Sequence, residues 1–123
     1  MHILVIDDDA EDYEFFLSAL KRFKPDARCL HRDSGVSALE FLQELNDPLN
    51  YIFLNINMPG MNGTEVLLAL KSDPKLKDIP VIMWSTSTNE YEKTAFKKLG
   101  AVHFLSKPTE HLNLVKSLKK LIN

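Results

Sequence analysis

The sequence predicts an α/β domain: a doubly wound parallel sheet of five strands with helices covering both faces. Two observations carry that prediction. Short runs of branched and aromatic apolar residues alternate five times with apolar patterns of helical period, which is the signature of strand–helix units joined by right-handed crossovers. No linker or low-complexity stretch interrupts them, and 123 residues are the size of one domain. Residues 1–123 are therefore read as a single domain.

Each element has a local reason. Ile3-Leu4-Val5-Ile6 is a run suited to a strand buried on both faces. Tyr13, Phe16, Leu17, Leu20 and Phe23 then recur at spacings of three and four, one stripe of a helix that Pro25 ends. Ala27–His31 is a short second strand. Ser34 caps a second helix carrying Val36, Leu39, Phe41 and Leu42, which closes near Asn46-Asp47-Pro48. Tyr51-Ile52-Phe53-Leu54 is the third strand, followed by the turn-rich segment Asn57–Gly63 and a helix over Thr64–Lys71. Pro80–Trp84 is the fourth strand, with proline at the tolerated first position. Ser85–Thr88 leads into a helix from Asn89 to Leu99, stopped by Gly100. Val102–Leu105 is the fifth strand. Thr109 caps a last helix with Leu112, Val115, Leu118 and Leu121 inward and Lys116, Lys119 and Lys120 outward.

At this size the flavodoxin-like strand order 2-1-3-4-5 is expected. Ligands of such sheets sit outside the carboxyl ends of the strands, where the winding reverses between the first and third strands. That rule directs attention to Asp7–Asp9, Asn55–Gly63, Ser85–Ser87 and Ser106-Lys107-Pro108.

Composition narrows the chemistry. The chain is 45% hydrophobic and 26% charged with a net charge of −2, which leaves no nucleic-acid or membrane footprint in the total. The first 62 residues carry 5 basic and 11 acidic side chains, and the rest 10 and 6. Much of the early excess is one run, Asp7-Asp8-Asp9 with Glu11, Asp12 and Glu14, and such runs are usually solvated faces. Cys29 is alone and fits a reducing compartment as a small buried hydrophobe. The first apolar run is too short for a secretory signal or a membrane span, so a cytoplasmic location is expected. His2, His31, His103 and His111 lack ligand spacing.

The four loop starts hold adjacent carboxylates, an amide, a hydroxyl and a lysine. Hard divalent cations such as magnesium take oxygen ligands of this kind. No glycine-rich phosphate loop follows the first strand, which disfavours nucleotides and flavins. Taken singly, Asp7-Asp8 could be a loop or helix cap, Ser85 a turn residue, and Lys107 plain surface. Their convergence on one sheet edge is what distinguishes them.

Val5-Ile6-Asp7-Asp8-Asp9, Asn57-Met58-Pro59-Gly60-Met61-Asn62-Gly63, Pro80–Ser85, Gly100-Ala101 and Lys107-Pro108, in that order and spacing, resemble the receiver domains of bacterial two-component response regulators. The resemblance runs from about residue 2 to 122. It implies a magnesium site at Asp7, Asp8, the residue-55 side chain and the Asn57 carbonyl. It implies phosphoryl contacts from Ser85 and Lys107, switch positions at Ser85 and Phe104, and a peptide before Pro108 that is commonly cis. Phe104 is equally readable as a core aromatic. The implied partners are a histidine kinase or phosphotransfer protein, and a downstream target met through the fourth helix, fifth strand and fifth helix. Lys93, Lys97, Lys98, Lys116, Lys119 and Lys120 lie in that region and would suit an acidic surface, or are solvated helix faces. The chain is read as a stand-alone receiver without an output domain, or as an excised one.

One position departs from the family pattern. The phospho-acceptor is an aspartate, and here it is Asn55. An amide oxygen carries no formal charge and is a poor nucleophile toward a phosphohistidine, so normal phosphorylation is expected to fail. Metal binding is expected to weaken, because one charge about 4 Å from another contributes on the order of 4 kcal/mol at an effective dielectric of 20. Two origins of Asn55 stay open at this stage: a natural docking module independent of phosphorylation, or an ordinary acceptor with an engineered Asp-to-Asn change. A metal-dependent phosphatase on the same fold is a further alternative, but Asn55 removes its nucleophile.

Overall fold

The structure, a computed structural model, describes residues 1–122. Along the chain the elements are β1 (His2–Ile6), α1 (Ala10–Phe23), β2 (Arg28–Arg32), α2 (Gly35–Glu44), β3 (Tyr51–Asn55), α3 (Gly63–Ser72), β4 (Val81–Ser85), α4 (Glu90–Lys98), β5 (His103–Ser106) and α5 (His111–Leu121). All pairings are parallel and the strand order is β2-β1-β3-β4-β5, as predicted.

Alternation along the strands sorts the core into two layers. Leu4, Ile6, Ile52, Leu54, Val81 and Met83 face a layer built with α2, α3 and α4 through Ala38, Leu42, Val66, Leu67, Leu70 and Phe96. Ile3, Val5, Phe53, Ile82, Trp84 and Leu105 face the other, built with α1 and α5 through Phe16, Ala19, Leu20, Leu114, Val115 and Leu118. Both faces of the sheet are therefore dry, which is why β1, β3 and β4 are continuous apolar runs.

Caps fix the helix starts. Asp9 accepts from the backbone of Glu11 and Asp12, Ser34 from Ser37, and Asn89 from Tyr91 and Glu92. Asn62 and Glu65 form a reciprocal capping box, so α3 begins at Gly63 and the end of the turn-rich segment is a helix cap. Gly100, at φ 111°, follows α4 with a backbone that favours glycine, and a Cβ there would stand 3.2 Å from the Lys71 stem.

Some boundaries differ from expectation. Edge strand β2 runs Arg28–Arg32, one residue later, because its register is set by pairing of His2 with Arg28. β5 runs His103–Ser106, and Val102 is exposed before it. Thr109 does not cap α5; Glu110 takes that place without a side-chain bond, and its carbonyl accepts from Leu114 to close the first turn. The inward face of α5 centres on Leu114, Val115 and Leu118, which leaves Leu112 on the flank and 53% exposed. Val36 likewise points out of α2, whose buried face is Gly35, Ala38 and Leu42. Among the described residues no peptide is cis, including that before Pro108. Cys29 is half-buried, and burial pushes its thiol up to about 11, so it packs as a neutral group.

Gly63 ties α3 to the end of β3. Its N–H donates to the Ile56 carbonyl at 2.7 Å, and a Cβ there would stand 2.4 Å from the Asn55 carbonyl oxygen. That neighbour is backbone and cannot turn aside. Gly63→Ala is therefore expected to cost about 1–3 kcal/mol, the usual scale for overpacking, read as a lower urea midpoint at unchanged slope.

Candidate functional site

Strand ends at the carboxyl edge bring two adjacent aspartates into separate hydrogen-bond networks. The first is built on Asp7, whose side chain is fully buried. Asp7 continues the face of Ile3 and Val5, Trp84 that of Ile82, and Lys107 that of Leu105, so all three rise on the α1–α5 side. Asp7 Oδ2 accepts from Trp84 Nε1 at 2.9 Å and from Lys107 Nζ at 2.9 Å, while Oδ1 accepts from the Asp9 N–H at 3.0 Å. Its backbone is engaged too: N–H to the Arg32 carbonyl at 3.1 Å, and carbonyl from His31 Nε2 at 2.8 Å. His31 is held for that role by stacking on Tyr13, ring centroids 4.1 Å apart.

Lys107 has a second anion, Asp12 Oδ2 at 2.8 Å, and its ammonium lies 5.3 Å from the centre of the Trp84 ring. Its backbone N–H donates to the Ser85 carbonyl at 2.6 Å, which joins β5 to the end of β4. A buried carboxylate without donors would be strongly disfavoured; here three donors from three chain segments satisfy it.

The second network centres on residue 55. Asn55 is buried, and its Nδ2 donates to Asp8 Oδ1 at 3.1 Å and to the Asn57 carbonyl at 3.0 Å. Both neighbours are acceptors, so the nitrogen and not the oxygen must face them. Asp8, Asn55 and Asn57, three of the four positions assigned to a metal by resemblance, thus converge on an N–H₂ group. A divalent ion would need an oxygen there. Presenting the Asn55 oxygen would turn the amide over and break both hydrogen bonds. Asp7, the fourth position, already accepts from three protein donors. As folded, this donor set does not fit a divalent ion, and among the described residues no three acidic, histidine or cysteine side chains group as a metal site.

Ser85 is buried beside these networks without joining either through its hydroxyl. Its Oγ accepts from the Ser87 N–H at 3.1 Å, and Ser106 Oγ donates to the Ser87 carbonyl at 2.8 Å, which pins the β4–α4 loop. Phe104 is half-buried in the α4 layer, 6.2 Å from the Phe96 ring.

Trp84 and Asp12 are absent from the residues picked out in the sequence. Trp84 was legible in principle: it ends the predicted fourth strand, which borders the crevice, and stands on the same face as Asp7. Asp12 was masked by the acidic run in which it stands, although helix period places it one turn beyond the Asp9 cap.

Comparisons agree with this architecture. The response regulator receiver domain model matches residues 3–119. The chain is 33% identical over 122 residues to response regulator Rcp1 of Synechocystis, covering 95% of this chain and 83% of that one. It is 30% identical over 108 residues to a chemotaxis protein CheY homolog of Campylobacter jejuni, covering 88% and 82%. The structure of the Mn(2+)-bound form of Rcp1 superposes with a TM-score of 0.83 at 32% identity, covering 98% of this chain and 90% of that one.

Removing the Lys107 charge leaves the buried Asp7 carboxylate without its cation. Lys107→Met is expected to cost about 3–5 kcal/mol, the scale for breaking a buried pair from one side. Trp84→Phe loses one charge-assisted bond, about 1.5–3 kcal/mol, and adds the cost of the space left by the second ring of a fully buried side chain. Equilibrium urea unfolding at neutral pH measures both, and an unchanged midpoint in either variant would contradict the role given to that donor.

Proposed function

The chain belongs to the response regulator receiver domain family, and from that premise we propose that it signals through protein contacts without taking a phosphoryl group. The observation that carries the proposal is the Asn55 amide donating to Asp8 and Asn57. In a two-component phosphorelay, a carboxylate oxygen attacks the phosphorus of a phosphohistidine and forms an acyl phosphate. At residue 55 this chain offers a neutral amide, with its nitrogen turned toward the acids. Mg2+ binding at Asp7, Asp8, Asn55 and Asn57 requires the amide to turn over and give up both of these hydrogen bonds, and is weakened accordingly. The amide supplies partial positive charge to Asp8 and Asn57, as a bound cation otherwise would.

The chain is read as non-enzymatic, since no nucleophile stands at residue 55. A histidine kinase or phosphotransfer protein and a downstream target are its expected partners. The α4–β5–α5 face supports docking of the target. Tyr91 is 89% exposed on α4, Leu112 is uncovered on α5 and Val102 just before β5, and both helices carry lysines. Exposed apolar and basic side chains on these elements suit an acidic partner surface. Among the described residues no helix is long and apolar enough to cross a membrane.

A second reading, an acceptor receiver changed from Asp to Asn at 55, is favoured by Ser85 and Lys107 still standing at their strand ends. One variant addresses both readings. Asn55→Asp replaces two N–H···O bonds by carboxylate–carboxylate repulsion, so its melting temperature without magnesium should fall below that of the Asn55 chain. Magnesium should restore much of the loss. With acetyl phosphate and magnesium, intact mass should show one added phosphoryl group on Asn55→Asp and none on the Asn55 chain. Phosphorylation of the Asn55 chain, or melting curves indifferent to metal in both forms, would overturn the proposal.

A further inference from the structure

Lys107 is placed by two residues that the receiver pattern does not supply. Its ammonium is almost buried and sits between the carboxylates of Asp7 and Asp12, above the Trp84 ring. Asp12 lies in the first turn of α1, where the helix dipole favours an anion. Asn55 offers no hydrogen bond to this lysine; its donors go to Asp8 and Asn57. The lysine is thus held on the α1 side of the pocket by an anion that a neutral residue 55 leaves unopposed.

The partners of Asp7 decide whether the lysine is free to leave. If Lys107 withdrew, Asp7 would keep the Trp84 indole N–H on Oδ2 and the Asp9 N–H on Oδ1. The buried carboxylate would not be orphaned. Asp12 is partly exposed, so water would take over its solvation. Departure leaves Asp7 two neutral donors but no cation, so it requires another carboxylate to take the ammonium, and the direction of movement is set by where that carboxylate stands.

We propose that Asp12 is a positioning residue for Lys107: with a neutral side chain at 55 it holds the ammonium on the α1 side, and a carboxylate at 55 draws the ammonium away from it. Trp84 has the complementary role, remaining on Asp7 as the lysine moves. This rests on the receiver reading of the pocket.

Acylation of Lys107 by acetic anhydride, followed by peptide mass spectrometry on the full chain, tests it. Asp12→Asn should raise Lys107 labelling several-fold in the Asn55 chain, and Asp12→Glu should leave it low. In the Asn55→Asp background, Asp12→Asn should change nothing, because the new carboxylate holds the lysine. The same rise in both backgrounds, which simple shielding by Asp12 would give, or no rise in either, overturns the proposal. Phosphoryl uptake from acetyl phosphate by Asn55→Asp is measured alongside. Uptake with the wrong labelling pattern sinks only the holding role, and the predicted labelling without uptake sinks only the receiver reading.

Discussion

A fully buried carboxylate, Asp7, constrains the whole carboxyl edge of this sheet. It must find donors, and it finds them on the β1–α1 turn, on β4 and just past β5. Those three segments are therefore tied to one register. β3 and β4 pair Asn55 with Trp84, and β4 and β5 pair Ser85 with Ser106, so the strand ends stay flush. Sliding β4 by one residue would send the indole to the opposite layer and leave a buried charge short of a donor.

Adjacent residues in the acidic pair have different tasks. Asp7 closes inward on an ammonium and an indole; Asp8 is exposed and closes on the Asn55 amide. The pocket balances its acids with protein donors throughout. An amide at residue 55 removes one negative charge and adds a donor at the same place, so the change counts twice in the local electrostatics. Neighbouring hydroxyls follow the same economy: Ser85 and Ser106 spend their bonds on Ser87 and hold the β4–α4 loop in place.

Most of the fold was legible in the sequence because parallel strands buried on both faces leave uninterrupted apolar runs, as in Ile3–Ile6 and Val81–Trp84. Boundaries were less legible where tertiary contacts choose among several capable residues. Thr109 is a good cap by composition, yet the first turn of α5 closes on the Glu110 carbonyl. Leu112 has the spacing of a core residue but lies on the flank of a stripe centred on Leu114, Val115 and Leu118. At the site, residues announced by strand ends were easy to locate. Asp12 was hidden by its acidic neighbours, since five other carboxylates within eight residues carry the same local signal. Its distinction is a lysine 95 positions away, and only the closed sheet reveals that.

Trp84 is the chain's one tryptophan. Its ring is wedged against Phe16, its nitrogen is on a carboxylate, and an ammonium lies across its face. Excited at wavelengths that tyrosine does not absorb, the molecule therefore emits from a single chromophore inside the pocket. Any event that rearranges charge at the carboxyl edge changes the field on that ring, so the protein carries its own optical probe with no label attached.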